Sequence, residues 1–298
     1  MGGLVVIGLC GESVFLTVPH FCTGGETVHA TSLFTESGGK GYNQAVAARR
    51  LGLKKVVFIG AIGQDADGEK CRKRLVQEDV EPLLIEKHDV HTAYAAILTA
   101  PNGDTQVTVY PGAAMTLNRA DVANHATSIR TAGALLLNGE ISEEAFDEAV
   151  CIAKEADVSI FLNPAPVQPF MRKYLKDMTA VLPNEAELTA LLNPAAQDEQ
   201  AIRDAMQAAG VRTLVATLGR RGALYIGKDG TEAVPAVPVT AVDTTGAGDT
   251  FCAALVVRFL RGSSIRSAVP YACAAAAVTV THLHVLDGLP YEDEVISD

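Results

Sequence analysis

The sequence has no excess of basic residues and no apolar run of the roughly eighteen residues that a membrane span needs. Its 298 residues include 24 Lys and Arg against 35 Asp and Glu, a formal net charge of −11. Nucleic-acid and anionic-membrane partners are therefore not expected, because no surplus positive charge exists to neutralise phosphates. The start, MGGLVVIGLCGES, also lacks the basic segment of a secretory signal peptide. We therefore expect a cytoplasmic protein with small-molecule partners.

Cysteine and histidine are present, but their spacing matches no metal site. The six cysteines are scattered and include no C-x-x-C pair, so we expect reduced thiols that are mostly buried. His282 and His284 would share one face of an extended segment, but two histidines without a third ligand are weak evidence for a metal ion. A transition-metal site is therefore not predicted.

Two common nucleotide-binding motifs are also absent. The loop after the first apolar run contains Gly8 and Gly11, whose spacing does not make G-x-G-x-x-G. This argues against a dinucleotide-dependent dehydrogenase. Farther on, Gly39 and Lys40 are followed by Gly41 rather than by Ser or Thr, which excludes a Walker A loop.

Apolar strand-like segments alternate with helical segments along most of the chain. Short β-branched runs at residues 4–8 and 56–59 predict buried strands, and regular alternation begins near residue 118. From there the predicted helices are 118–131, 143–156, 168–176, 185–192 and 198–209, and the predicted strands are 134–137, 159–162, 180–182, 213–217, 223–227 and 231–239. Such alternation predicts right-handed crossovers and a mostly parallel sheet. We therefore expect one α/β domain over residues 1–298.

Two further regions predict strands outside that sheet. Residues 14–37 alternate imperfectly, and residues 92–111 contain two extended runs around the turn sequence PNGD, a strong hairpin signal. Together they predict a small β-sheet lid on the α/β body. Exposed apolar side chains on the hairpin, such as Tyr94, Ile97 and Val109, could pair with a second subunit. We therefore expect a homodimer through the lid.

The sequence DTTGAGDTF, residues 243–251, carries the clearest chemical signal. Gly246, Ala247 and Gly248 can turn their amides toward a common point, and the apolar spacing that follows predicts a helix starting here. Free amides and the helix dipole favour phosphate at such a point. Asp249 would stand at its rim, where a carboxylate could accept a proton from an attacking hydroxyl. The alternative is a tight turn in which Asp249 only complements the helix dipole.

Polar residues also follow most of the predicted strands. The segments are NGE at 138–140, NPAP at 163–166, PNEAE at 183–187 and TLGRRG at 217–222. Each could be an ordinary turn, because Asn, Pro and Gly are common at strand ends. Their recurrence at one edge of a parallel sheet, where ligands collect, instead predicts a shared site. Glu140 is the strongest indication, because a carboxylate directly after a buried strand needs partners such as sugar hydroxyls.

The motifs GGKGYNQA, NPAP, Asn184-x-x-Glu187, TLGRRG and DTTGAGD occur in this order along the chain. With them the chain resembles the ribokinase-type sugar kinases of the phosphofructokinase-B family over essentially its whole length. The resemblance implies a three-layer α/β/α sandwich with a mostly parallel central sheet and a β-sheet lid. It also implies transfer of the γ-phosphate of ATP to a primary hydroxyl of a furanose sugar, with D-ribose, giving ribose 5-phosphate, as the first expectation.

The resemblance further implies roles for individual residues. Asp249 would be the catalytic base, and the anion hole would be formed by Gly246, Ala247 and Gly248. The sugar would be held by Gly11, Ser13, Gly39, Lys40, Asn43, Glu140 and Asp249. The nucleotide would be bound by Asn184, Glu187, Thr217, Gly219, Gly222 and Gly248. Glu187 would act on Mg²⁺ indirectly, and a monovalent cation, usually K⁺, would lie near Asp243 and Thr245.

Three positions depart from the pattern of the family. Ser13 stands where an Asp usually binds two sugar hydroxyls, and Gly11 stands where Asn is frequent. A hydroxyl cannot replace a bidentate carboxylate, and the adjacent Glu12 should point to the opposite face of its strand. His284 occupies a position near the cation that is usually glycine.

These departures leave the phosphoryl-transfer residues unchanged, but they leave the identity of the sugar and the activation by K⁺ open. One alternative is a kinase for another sugar or for a nucleoside, because Ser13 alters the site that reads hydroxyls. The other is a catalytically weak sugar-binding or regulatory member of the same family.

Overall fold

The strands of this protein form two separate sheets. Its computed structural model describes residues 2–102, 104–196 and 198–295. The large sheet contains nine strands, namely β1 (Leu4–Ile7), β4 (Val56–Gly63), β5 (Glu81–Lys87), β8 (Ala134–Leu137), β9 (Ser159–Leu162), β10 (Ala180–Val181), β11 (Leu214–Thr217), β12 (Ala223–Gly227) and β13 (Gly230–Val234). The small sheet contains four, namely β2 (Gly11–Thr17), β3 (Ser32–Gly38), β6 (Ala93–Thr99) and β7 (Thr105–Tyr110).

Helices connect the strands and cover the large sheet. They are α1 (Lys40–Arg50), α2 (Ala66–Gln77), α3 (Arg119–Ala123), α4 (Ala126–Arg130), α5 (Glu143–Glu155), α6 (Glu185–Leu192), α7 (Glu199–Ala209), α8 (Ala247–Leu260), α9 (Ile265–Thr279) and α10 (Val285–Gly288). In the part of the chain just delimited, none of them has both the length and the apolar character needed to cross a membrane.

The large sheet has the strand order β13-β12-β11-β10-β9-β8-β1-β4-β5. Its strands are parallel from β11 to β5, and β12 and β13 are antiparallel additions at one edge. The first strand, β1, pairs with β4 on one side and with β8 on the other, so the chain winds outward from it in both directions. The carboxyl end of β1 is therefore a topological switch point, where ligands bind in sheets of this kind.

Alternate side chains of β1 enter two different cores. Leu4 and Val6 pack in one buried cluster with α1, α8 and α9, whereas Val5 and Ile7 pack in another with α5. A buried strand with apolar side chains on both faces requires cover on both sides. The predicted three-layer α/β/α architecture is therefore confirmed.

The small sheet has the order β3-β2-β6-β7, which confirms that a small β-sheet accompanies the large one. Strand β2 pairs antiparallel with β3 and parallel with β6, and β6 pairs antiparallel with β7. Of the turn PNGD between β6 and β7, Gly103 lies outside the described residues.

Several predicted elements differ from those observed. The single helix predicted at 118–131 is two short helices, because a capping box between Asn118 and Asp121 starts α3 and the chain turns before α4. The helix predicted at 168–176 is a pair of 3₁₀ turns, Pro169–Lys173 and Leu175–Asp177. The strand predicted at 231–239 already ends at Val234. Strand β5 was missed, since Pro82 weakens its pattern and is tolerated only because β5 is an edge strand.

Candidate active site

Asp249 lies in the first turn of α8 and is held by the first turns of α1. Asn43 Nδ2 donates to Asp249 Oδ2 at 2.9 Å, and Gln44 Nε2 donates to Asp249 Oδ1 at 3.2 Å. The Asp249 side chain is buried, and 206 positions along the chain separate it from Asn43. An aspartate that only complemented the dipole of its own helix would not need two fixed amides from another helix. The contacts therefore favour a role for Asp249 in the chemistry over a role that only complements the helix dipole.

The N-terminus of α8 offers amides to an anion. Gly246 is its N-cap residue, with φ 82°, and no side chain in the described part of the chain caps the helix. A Cβ at Gly246 would lie 2.7 Å from Val285 Cγ1, so both the backbone and the neighbouring side chain require glycine there. The Ala247 amide has only a long contact of 3.4 Å, to the Thr244 carbonyl. First-turn amides without a side-chain cap are suited to bind phosphate oxygens.

Lys40 and Glu140 lie beside Asp249. The Lys40 backbone amide donates to Glu140 Oε2 at 2.8 Å, and the Glu140 amide donates to Asn138 Oδ1 at 3.0 Å. The start of α1 is thereby joined to the end of β8. The charge of Asp249, ahead of that of Glu140, raises the pKa of the Lys40 ammonium above its ordinary value. Lys40 is therefore charged and shared between carboxylates.

The carboxyl groups of the site are harder to ionise than usual. Burial raises the pKa of Glu140 to about 7, with the charge of Lys40 opposing and that of Asp249 adding to the shift. Burial also raises the pKa of Asp249, against the opposing effects of Lys40, Asn43 and Gln44. The pKa of Glu187 is raised by burial as well, and it responds to Lys40 and Asp249. The carboxylates thus act on one another around a single ammonium group.

Two buried side-chain oxygens in this region have no hydrogen-bond partner among the described residues. They are Asn43 Oδ1 and Gln44 Oε1, and the amide nitrogen of each of these side chains donates to Asp249. Gln44 Nε2 also donates to Asn163 Oδ1 at 3.0 Å, and Asn163 Nδ2 donates to the Leu182 carbonyl at 2.9 Å. A buried acceptor without a donor is costly. Asn43 Oδ1 is therefore a candidate acceptor for a ligand hydroxyl.

Ser13 lies on the lid next to Asn43. A Cβ at Gly38 would lie 2.9 Å from Ser13 Oγ and 4.0 Å from Asn43 Oδ1, so these two oxygens flank the same glycine. Glu12 points the other way, as predicted, and its Oε1 accepts from Lys70 Nζ at 2.8 Å. Glu12 therefore does not replace the carboxylate that the family usually has at position 13.

Two of the predicted sugar-binding glycines are needed by the backbone itself. A Cβ at Gly11 would lie 2.2 Å from the Ala93 carbonyl oxygen, so the pairing of β2 with β6 leaves no room for an Asn side chain there without a shift. Gly39, the N-cap residue of α1, has φ 120°, and its Cβ would lie 2.4 Å from the Leu9 carbonyl oxygen. These glycines bring the lid and α1 close to the end of β1.

The residues predicted to bind nucleotide lie after β10 and β11. Asn184 and Glu187 form a capping box at the start of α6, with both Glu187 oxygens accepting from Asn184 at 2.8 Å. Asn184 also bridges to Thr217 at the end of β11. Gly219 has φ 56° and open space around it, whereas a Cβ at Gly222 would lie 2.0 Å from the Val234 carbonyl oxygen. Gly219 therefore remains accessible to a ligand, and Gly222 is required by packing.

The loop before α8 is organised by Asp243. Its Oδ1 accepts from the Thr245 amide at 2.9 Å and from Thr245 Oγ1 at 2.7 Å, and its Oδ2 accepts from the His284 amide at 3.3 Å. His284 has φ 68° and ψ 166°, a backbone conformation almost confined to glycine. His284 therefore keeps the backbone conformation that glycine has at this position, at a cost in strain.

Two residues of this region, Gln44 and Glu36, were missed from the sequence, and Asn163 was predicted only as part of the NPAP segment. Gln44 and Asn163 complete the amide chain behind Asp249, and Glu36 binds two backbone amides of the segment after His284. Gln44 carried a usable signal, since it is a polar residue on a predicted apolar helix and is next to Asn43. Glu36 had no recognisable signal in the sequence, because its partners are about 250 positions away.

Comparison with known proteins covers nearly the whole chain. Residues 1–291 match the model of the pfkB family of carbohydrate kinases. A ribokinase of Bacillus subtilis is 33% identical over 295 residues, which are 99% of this chain and 98% of the relative. The crystal structure of ribokinase from Thermotoga maritima has a TM-score of 0.91 at 29% identity, covering 99% of this chain and 98% of that one. The structure of Arabidopsis thaliana ribokinase complexed with ribose and ATP has a TM-score of 0.88 at 26% identity, covering 99% and 97%.

Proposed function

The chain belongs to the pfkB family of carbohydrate kinases, and we propose that it transfers the γ-phosphate of ATP to the primary hydroxyl of D-ribose. The observation that carries this proposal is the buried Asp249, which two amides of α1 hold at the uncapped start of α8. Lys40 and Glu140 stand beside it. The relatives named ribokinase, at near-full coverage, support ribose as the sugar.

Asp249 is the group that would handle the proton. The sugar's primary hydroxyl lies against its carboxylate, which orients the oxygen for attack on the γ-phosphorus and accepts the proton late in the transfer. A sugar O–P bond forms, the bond from the γ-phosphorus to the bridging oxygen of ADP breaks, and ADP leaves. Burial raises the pKa of Asp249 and makes it a stronger base than an aspartate in water. The amides of Ala247 and Gly248, with the turn at Gly246, stabilise the negative charge on the phosphoryl oxygens.

The sugar would be bound between the lid and the start of α1. Asn43 Oδ1 and Ser13 Oγ accept hydroxyl hydrogens at one end, and Glu140 accepts at the other. The Lys40 ammonium and the close approach of Gly39 complete this side. The hydroxyl of Ser13 makes weaker contacts than a carboxylate would, so we expect modest discrimination between sugars at this end.

The nucleotide would lie along Asn184, Thr217 and Gly219. Mg²⁺ on the nucleotide would lower the charge of its phosphates and orient them. Glu187 fits an indirect role toward that ion, because both its carboxylate oxygens already accept from Asn184. It would therefore act through water.

The loop of Asp243 and Thr245 would hold a monovalent cation, K⁺ first, whose charge would support the anion hole. The Asp243 carboxylate already accepts from the Thr245 amide, the Thr245 hydroxyl and the His284 amide. About one of its roughly four lone-pair positions is left for a direct contact. Most ligands of the cation would then be backbone carbonyls, which suits a large monovalent ion.

The experiment that tests the function is ADP release over ribose, 2-deoxyribose, other pentoses, hexoses and nucleosides, each with and without K⁺. We expect the highest kcat/KM with ribose and a higher rate with K⁺ than with Na⁺. A nucleoside as the best substrate would replace ribose with the alternative that Ser13 motivates. Sugar binding by calorimetry without ADP release for any compound would indicate a regulatory member instead.

A homodimer through the lid and a cytoplasmic location complete the proposal. The dimer is motivated by apolar side chains on the described lid strands: Tyr94 is 41% exposed and Val109 is 50% exposed, whereas Ile97 is partly covered. Strand β7 is a sheet edge whose side chains are exposed throughout. Sedimentation at micromolar concentration should give twice the chain mass, and Val109→Lys should lower it to one chain.

A further inference from the structure

Glu36 is a buried carboxylate of the lid that binds backbone amides of another segment. It lies on lid strand β3 and is 7% exposed. Its Oε1 accepts from the Val285 amide and its Oε2 from the Leu286 amide, both at 3.0 Å. Within the described residues it forms no ion pair, and burial raises its pKa. Burying a carboxylate costs free energy unless hydrogen bonds compensate for its lost hydration. The two backbone amides supply that compensation.

The segment that Glu36 binds forms one wall of the DTTGAGD turn. Val285 fills the space that a side chain at Gly246 would need, as its Cγ1 lies 2.7 Å from the Cβ position. The amide of His284, one residue earlier, donates to Asp243 Oδ2. The contacts of Glu36 are therefore one step removed from the residues proposed to form the anion hole.

The lid holds this segment from a second direction. The His284 ring stacks on Phe34 with centroids 3.7 Å apart and an angle of 10°, and it meets the edge of Phe15 at 5.2 Å. Phe34 and Glu36 are two positions apart on β3 and so lie on the same face. A backbone in the strained conformation of His284 persists only where its surroundings fix it. Ring stacking and the Glu36 carboxylate are what fix it here.

Strand β3 also leads directly into the sugar side. Glu36 is paired across the sheet with Ser13, and the strand ends at Gly38, just before Gly39 and α1. One short stretch of the lid thus contacts the proposed sugar site on one side and the wall of the anion hole on the other.

We propose that Glu36 is a positioning residue for phosphoryl transfer, which keeps the Asp243–Gly246 turn in register with the lid strand that covers the sugar. This inference rests on the proposed kinase function. Loss of the carboxylate frees the segment from His284 to Leu286, which lets the turn shift and lowers the rate of transfer more than it weakens sugar binding.

The test compares kcat and KM of Glu36→Gln and Glu36→Ala with those of the neighbouring exposed variant Thr35→Ala, with the best substrate of the panel. Use of that substrate separates the two proposals, since wild-type turnover tests the function and the variant ratios test Glu36. We expect Glu36→Ala to lower kcat about 30-fold with less than a threefold change in sugar KM. Glu36→Gln, which keeps one acceptor oxygen, should lose about fivefold, and Thr35→Ala should match the wild type. An unchanged kcat in folded Glu36→Ala, or a rise in KM alone, would overturn the proposal.

A double-mutant cycle guards against a variant that fails to fold. Glu36→Gln is the mildest change, and Thr245→Ala removes the hydroxyl donor to Asp243 at the far end of the same contact chain. If Glu36 acts through the turn, the two losses in kcat are coupled, and the double variant deviates from their product by at least threefold. Simple multiplication of the two losses would show that Glu36 acts independently of the turn, contrary to the proposal.

Discussion

The proposed phosphoryl-transfer end and the sugar-reading end of the site are built from different parts of the fold. Asp249 and its partners Asn43 and Gln44 lie on α8 and α1, two helices packed together in one core. Ser13 and Glu36 lie on β2 and β3, in the separate small sheet. The first end is a helix-to-helix contact in the body of the protein, and the second is a strand surface laid over it.

All three departures from the family pattern fall at the lid or against it. Ser13 and Gly11 are on β2, and His284 packs on Phe34 of β3. None of them contacts Asp249 through a hydrogen bond in the described residues. The chemistry can therefore stay fixed while the surface that reads the substrate changes. Variants at the proposed phosphoryl-transfer end and at the sugar-reading end test this comparison.

The largest effect is expected at the phosphoryl-transfer end. Asp249→Asn removes the proton acceptor but keeps the shape of the side chain, so kcat should fall about 1,000-fold with a small change in sugar KM. Steady-state ADP release measures this, with circular dichroism as the control for folding. A variant that retains a tenth of the activity would mean that Asp249 is not the base.

The next effect compares two glycines of the anion hole. Gly246→Ala places a Cβ 2.7 Å from Val285 at φ 82°, so it should lower kcat about 100-fold and destabilise the fold by about 2 kcal/mol. A Cβ at Gly248 would have no described atom within 4 Å outside the adjacent residues and backbone of its own helix, so Gly248→Ala should not be destabilised in urea. Any loss in Gly248→Ala should then appear in the KM for ATP. Equal destabilisation by both changes would contradict the geometry of this turn.

At the sugar-reading end the expected effect is smaller. Ser13→Asp restores a carboxylate beside Asn43, so the ratio of kcat/KM for ribose over 2-deoxyribose should rise about tenfold. Thr17→Asp is the matched control, because Thr17 lies on the same strand and face but is exposed at its far end. The control should leave the ratio unchanged. If both variants shift it equally, general charge on the lid is responsible and Ser13 is not.

The smallest effect on turnover is expected from the ionisation of Glu140, which lies between the two ends. Burial raises its pKa from 4.5 in the unfolded chain to about 7 in the fold, so folding favours the protonated form. The stability that this shift confers is present below about pH 4.5 and is lost as pH rises toward 7, by at most about 3 kcal/mol. Urea unfolding at pH 5 and pH 8 should therefore show a fall in stability for the wild type that is smaller in Glu140→Gln, where the raised pKa values of Asp249 and Glu187 still contribute. Ionised Glu140 is the better acceptor for a sugar hydroxyl, so kcat/KM of the wild type should also rise several-fold through pH 7, and Glu140→Gln should lack this rise.

Local sequence pattern was sufficient to predict most helices and strands of the α/β body. It was insufficient to predict the long-range contacts that assemble the site. The short apolar runs predicted β1 and β8, and the spacing after residues 246–248 predicted α8. The short amphipathic segments at 118–131 and 168–176 were predicted as single helices, since apolar periodicity does not reveal a break or a 3₁₀ turn. A capping box at Asn118 starts the first of the two short helices, and the 3₁₀ turns begin at Pro169.

The same limit applies to the residues of the site. Motifs within one turn, such as Asn184 with Glu187, are visible in the sequence because their partners are three positions apart. Asp249 is 205 positions from Gln44, and the partners of Glu36 are about 250 positions away, so no local spacing reveals these contacts. The proposed base and Asn43 could be predicted from their motifs, whereas the contacts that hold Asp249 could be found only in three dimensions.

The short connections of the lid have a mechanical consequence. Only residues 8–10 separate β1 from β2, and only Gly39 separates β3 from α1. Three residues span at most about 10 Å, so neither strand can travel far from the sheet. The two connections also touch, since Gly39 packs against the Leu9 carbonyl, which accepts from the Tyr42 amide at 3.4 Å. At the edge beside the proposed sugar site, the lid is therefore tied to the body by two short connections that contact each other, so its strands β2 and β3 cannot slide away from α1.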